Sequence, residues 1–115
     1  MKVIGLIQAR MGSTRLPGKV MMPLAKKPLL WHILQRLRKV ESISEIILAT
    51  SYDKRNDILE NFSNQNGIIC HRFNIENDLI SRIYSVSQKI DYDVMVKVNA
   101  DCPLIDFKYI NNLLQ

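Results

Sequence analysis

The chain has 115 residues, with 16 Lys+Arg against 11 Asp+Glu and a formal net charge of +5. That length fits one domain over residues 1–115, because single domains cluster at about 100–150 residues and bury roughly two-thirds of their unfolded surface at this size. A 47% hydrophobic, 23% charged composition excludes a disordered or fibrous chain, and two cysteines outside any CxxC spacing, Cys70 and Cys102, exclude a disulfide scaffold. No apolar run approaches the ~18 residues of a membrane span, and Val3–Ile7 is too short for a signal h-region. A cytoplasmic protein with reduced thiols, and no membrane partner, is expected.

Lys2–Gln8 carries apolar side chains on both parities, the pattern of a strand covered on both faces. Residues 9–19 follow, with two glycines, a proline and two hydroxyls, and read as a loop. Pro28 suits the first position of a helix over 28–40, with Leu29, Ile33, Leu37 and Val40 on one stripe. Glu45–Ser51 is a second buried strand; Lys54–Gln65 is a short helix with Gly67 as its C-cap. Ile68–Arg72 is a third strand. A helix then begins at Asn77 or Asp78, runs to Lys89 and turns Leu79, Ile83 and Val86 inward; Asp93–Val98 is a fourth strand. A last helical segment is expected over Phe107–Leu114, capped by Asp106.

Strands alternating with helices at this spacing imply an α/β fold, a parallel sheet wrapped by helices. The usual open winding orders the strands 3-2-1-4, and ligands bind beyond the carboxyl ends where the order reverses. The loops after strands 1 and 4 are therefore expected to face one crevice.

Charge is distributed unevenly along the chain. The first 40 residues hold nine basic side chains and no acid, an attraction for nucleic acid, an anionic membrane or a nucleoside triphosphate. Arg36, Arg38 and Lys39 read as a solvated helix face, whereas Arg10, Arg15 and Lys19 are interleaved with glycines. A loop of small residues exposes backbone N–H groups to an anion; Arg10, Arg15 and Lys19 add charge, and Ser13 and Thr14 add hydroxyl donors. The pattern matches neither GxxxxGK[ST] nor GxGxxG. Asp101, just after strand 4, reads either as a Mg²⁺ ligand shared with phosphate oxygens or as a turn aspartate. His32 and His71 have no nucleophile at a meaningful spacing and read as structural. Aromatics make up only 7% of the chain, few for base-stacking platforms, so a nucleic-acid partner is not expected.

Ile7-Gln8-Ala9-Arg10-Met11-Gly12-Ser13-Thr14-Arg15-Leu16-Pro17-Gly18-Lys19-Val20 resembles the N-terminal signature of the spore-coat polysaccharide cytidylyltransferases, within the wider acylneuraminate and deoxy-octulosonate cytidylyltransferase group. Lys27–Leu30, Ile47–Ser51 and Asp101–Asp106 resemble later blocks of that family in the same order. The resemblance implies a Rossmann-like three-layer α/β/α nucleotide-diphospho-sugar transferase fold, here its N-terminal half, because family members are roughly twice this long, as many domains are. It implies transfer of CMP from CTP to a sugar or sugar acid with release of pyrophosphate, Mg²⁺ as cofactor, and a homo-oligomer, expected as a dimer. Gln8 and Ala9 would lie near the cytosine; Arg10, Gly12, Ser13 and Lys19 would hold the triphosphate; Asp101 would hold the metal; and Arg72 would contact the nucleotide. Arg10 and Lys19, together with the Mg²⁺ that catalytic Asp101 would hold, would neutralise charge developing on pyrophosphate. Where the family has glycine before the metal aspartate, this chain has Ala100. Two other readings stay open: a module that binds nucleotide without turnover, and a transferase using another nucleoside triphosphate. With the second half absent, strand 4 would be a sheet edge, expected to pair with another copy.

Overall fold

The computed structural model describes residues 2–12, 18–74 and 79–100, without the side chains of 79–83 and 99. Four parallel strands form the sheet: β1 (Val3–Gln8), β4 (Ile43–Ser51), β5 (Ile69–Phe73) and β6 (Val94–Asn99), in the order β5-β4-β1-β6. This is the 3-2-1-4 winding read from the sequence, with helices α1 (Leu29–Arg38), α2 (Asp57–Asn66) and α3 (Leu79–Lys89) as crossovers.

Side-chain alternation on the strands assigns the layers. Ile7, Leu48 and Val98 pack with Leu30, Ile33, Leu34 and Leu37 of α1 and Leu59 and Phe62 of α2. Ile4, Leu6, Ile47, Ala49 and Phe73 face the other way and pack with Val86 of α3. The sheet is thus a middle layer covered on both faces, which explains why all six residues of β1 are buried. Each of the largest fully buried side chains, such as Ile4, Leu30 and Leu59, contributes about 1.5–3 kcal/mol by leaving water.

Element ends follow local chemistry. Pro28 (φ −57°, ψ 147°) is the N-cap of α1 rather than its first turn, because its ψ is extended and the helix begins at Leu29. Arg36 and Arg38 lie in the last turn of α1, where the dipole favours cations, and Arg38 donates to the Asn66 carbonyl at the end of α2. Gly67 takes φ 70°, and its N–H and that of Ile68 both return to the Ser63 carbonyl, closing α2. The helix expected from Lys54 starts instead as one 3₁₀ turn, Lys54–Asn56, capped by Asp53.

The stretch between the first loop and α1 is more structured than the sequence reading allowed. Lys19–Met21 is a 3₁₀ turn that buries Val20, followed by a hairpin of β2 (Pro23–Leu24) and β3 (Lys27–Pro28). Its two turn residues, Ala25 and Lys26, both have positive φ (51° and 71°). The cap expected at Asn77 or Asp78, the helix over Phe107–Leu114, Asp106 and Cys102 lie outside the described residues, as do the side chains of Leu79 and Ile83.

Candidate functional site

The carboxyl ends of β1, β4 and β6 are laced together at one edge. Ala9 N–H donates to the Ala49 carbonyl at 3.2 Å, and Ala100 N–H donates to the Gln8 carbonyl at 3.0 Å. β1 is therefore flanked at its end by β4 on one side and β6 on the other, so the segments leaving β1 and β6 depart from adjacent strands. Asp101, expected to face the first loop, lies outside the described residues.

Gln8 is the last residue of β1 and 8% exposed, yet its Nε2 has no hydrogen-bond partner among the described residues. It shares the register of Ala49 on β4, on the face covered by α3. A buried unpaired donor costs about 1–3 kcal/mol, so an amide there is a feature that a bound acceptor would repay. Ala9, the next residue, is buried on the opposite face.

Beyond them the loop closes on itself. The Met11 carbonyl accepts Gly18 N–H at 2.8 Å, and Gly18 adopts φ 77°, which an L side chain reaches only with strain. Arg10 and Gly12 are half-buried at the start of the loop, and half-buried Lys19 follows its closing residue. Arg10, Gly12 and Lys19 thus stand at the neck of one loop at the carboxyl edge of β1. Ser13 and Arg15 lie outside the described residues.

A second wall, which the sequence reading missed, comes from the turn between β4 and α2. Asn56, 0% exposed, accepts Met11 N–H on Oδ1 at 2.8 Å and donates from Nδ2 to Ser51 Oγ at 2.8 Å. Arg55 forks onto Asp53 (Nε–Oδ1 3.0 Å, Nη2–Oδ2 2.6 Å) and lies so close to Gly12 that a Cβ there would meet its Nη1 at 2.8 Å. The hydrogen bonds from the Arg55 guanidinium and N–H hold the Asp53 carboxyl down at about 2. The only hint in the sequence was a polar run, Asp53-Lys54-Arg55-Asn56, which also fits a plain helix start.

Arg72, at the end of β5, is tied into the same wall. Nε donates to the Ser51 carbonyl (2.9 Å), Nη2 to the Asp53 carbonyl (2.9 Å), and Nη1 to Asp57 (2.9 Å) and Glu60 (3.2 Å). Its guanidinium also lies 5.6 Å from the Tyr52 ring centroid. Burial opposes the charge, but the hydrogen bonds to Asp57 and Glu60 outweigh it and raise the Arg72 pKa. The histidines sit in structural positions: His32 Nε2 lies 2.5 Å from the Leu24 carbonyl, and His71, whose pKa is lowered by burial and by Lys89, contacts Ser85 Oγ at 2.8 Å. Burial pushes the Cys70 thiol up, away from reactivity.

Comparison with known proteins gives this edge a lineage. The family model described as cytidylyltransferase matches residues 4–115. The chain belongs to the cytidylyltransferase family. A cytidylyltransferase structure from Leptospira borgpetersenii serovar Hardjo-bovis is 37% identical and superposes with a TM-score of 0.91 over 99% of this chain and 48% of its own. The structure of CMP:2-keto-3-deoxy-manno-octonic acid synthetase complexed with CTP is 27% identical, with a TM-score of 0.83 over 100% of this chain and 46% of its own. The spore coat polysaccharide biosynthesis protein SpsF of Bacillus subtilis is 32% identical over 98% of this chain and 48% of its own. The chain thus spans about half the length of the cytidylyltransferases it matches.

This edge of the chain brings together an unpaired amide at Gln8, a closed glycine-bearing loop and the cations of Arg10 and Lys19. The described residues hold no cluster of three or more His, Cys, Asp or Glu for a metal. A hard cation would here depend on an oxygen donor such as Asp101 and on phosphate oxygens, the ligand set that Mg²⁺ favours. No helix among the described residues is long and apolar enough to cross a membrane.

Proposed function

We propose that this chain carries the nucleotide site of an enzyme that transfers CMP from CTP to a sugar acid and releases pyrophosphate, in surface-polysaccharide synthesis. The observation that carries the reading is the orphaned Nε2 of Gln8 at the end of β1, directly before the closed loop. An amide N–H suits cytosine, whose N3 and O2 both accept hydrogen bonds, whereas N3 of uracil is a donor. Arg10, Gly12, Ser13 and Lys19 would bind the triphosphate through charge-assisted hydrogen bonds. Arg10 and Lys19 would also offset the charge that develops on the leaving pyrophosphate. The nucleophile is a hydroxyl of the sugar, so the protein's task is to align it with the α-phosphorus.

Mg²⁺, held by Asp101 and phosphate oxygens, would add positive charge at the triphosphate. Arg72 would act on the nucleotide chiefly through the turn it anchors. The same reading puts the protein in the cytoplasm, where CTP is made, and in a homodimer. The sugar acid of the synthetase relatives is the proposed acceptor class.

The test is pyrophosphate release from CTP, Mg²⁺ and a 3-deoxy sugar acid, with the acceptor omitted as control. Acceptor-dependent release supports the transferase. CTP binding without release supports a nucleotide-binding module, the second reading.

A further inference from the structure

The turn between β4 and α2 reaches the β1 loop through a side chain to which the transfer chemistry assigns no task. Asn56 is completely buried, its Oδ1 accepts Met11 N–H at 2.8 Å, and its Nδ2 donates to Ser51 Oγ at 2.8 Å. On the other side of the same residue, the Met11 carbonyl accepts Gly18 N–H at 2.8 Å. Both peptide planes that meet at Met11 are therefore fixed, one through its N–H and one through its carbonyl.

The consequence falls on the two residues beside it. Met11 N–H belongs to the peptide following Arg10, so holding it fixes the backbone from which the Arg10 side chain departs. The Met11 carbonyl belongs to the peptide preceding Gly12, and in a trans peptide the Gly12 N–H points opposite to that carbonyl, away from Gly18. The Arg55 guanidinium packs on Gly12 from the same turn, and Arg72 ties that turn to β5 through the Ser51 and Asp53 carbonyls. We propose that Asn56 is a positioning residue that presents Arg10 and the Gly12 N–H to a nucleoside triphosphate. This rests on the nucleotide reading above and adds to it the residue that sets the loop's aim. Anchoring a loop on a buried, doubly bonded amide keeps the donors preorganised, so little ordering cost remains when the anion binds.

The test compares variants by two readouts. In Asn56→Ala, the Met11 amide should exchange with solvent at least tenfold faster, while the Ala9 and Ala100 amides at the strand ends keep their rates. Asn56→Asp, whose carboxylate still accepts Met11 N–H and takes a hydrogen bond from Ser51, should restore Met11 protection. Calorimetric affinity for CTP should weaken at least fivefold in Asn56→Ala. Ile4→Ala, a core truncation at the other end of β1 in the cluster under α3, which holds no residue of the loop, should stay within twofold of wild type. If Asn56→Ala fails to fold, Asn56→Leu fills the same space without the hydrogen bonds and should behave like it. Unchanged Met11 exchange, or an equal loss of CTP affinity in Ile4→Ala, would overturn the proposal. A wild-type chain that binds no CTP would overturn the nucleotide reading itself and the purpose given to Asn56, while Met11 exchange would still report whether Asn56 holds the loop.

Discussion

Truncating Arg72 to alanine should destabilise the chain by about 2–4 kcal/mol. The side chain is 11% exposed and its guanidinium makes four hydrogen bonds: to the Ser51 and Asp53 carbonyls at 2.9 Å each, to Asp57 at 2.9 Å and to Glu60 at 3.2 Å. A hydrogen bond with one charged partner contributes about 1.5–3 kcal/mol, so the two carbonyl contacts set the scale. Asp57 and Glu60 are 63% and 46% exposed, which leaves each ion pair nearer ~0–1 kcal/mol. Because all four bonds share one side chain, they add to less than their sum. Arg72→Lys should recover no more than about half, since one ammonium lacks the fork that spans two carbonyls and two carboxylates. Urea unfolding monitored by circular dichroism, with the slope unchanged, measures the loss as a shift of midpoint. A loss below about 1 kcal/mol, together with complete loss of stabilisation by CTP, would refute the anchoring role. It would show instead that the guanidinium spends its hydrogen bonds on the nucleotide.

Further expectations come from backbone and charge. In the hairpin turn, Lys26→Gly should stabilise the chain by about 0.5–1 kcal/mol, because Lys26 sits at φ 71°; a loss in thermal melting would contradict the turn geometry. Gly18→Ala should cost about 1–2 kcal/mol through φ 77° alone, since the nearest atom to the new Cβ, Met11 Cε, is at an ordinary 3.5 Å. It should also weaken CTP binding more than Gly67→Ala, which meets the same strain at φ 70° far from the loop. Asp53 is held at about 2, below its ordinary 3.8, so its stabilisation is present above that value and is lost as pH falls toward 2; Asp53→Asn should flatten acid unfolding in that window. His71 is held below 6.5 by burial and by Lys89, so the unfolded chain takes up its proton first and stability declines as pH drops below 6.5; His71→Phe should remove that slope.

Periodicity and loop chemistry made the frame legible in the sequence. Apolar residues on both parities of Val3–Gln8 announced a strand covered on both faces, and the glycine at 67 announced the end of α2. What escaped notice was held by tertiary contacts or carried no local signal. Ala25 and Lys26 form a left-handed turn without the Asn or Gly that usually marks one, so β2 and β3 were invisible. Asn56 bonds to Met11 across 45 residues of chain, and a buried asparagine in a polar run looks the same as an exposed one until the fold brings the partners together. Arg72 could be picked out through family resemblance, but that it grips two carbonyls of the β4–α2 turn follows only from the pairing of β4 with β5.

Calorimetric titration of the chain with CTP, with and without Mg²⁺ and against UTP, tests the central claim most directly. The account predicts binding that Mg²⁺ strengthens and that favours CTP over UTP, with Gln8→Leu erasing the preference for cytosine. Equal affinity for both nucleotides, or no binding by a chain shown to be folded, would contradict it.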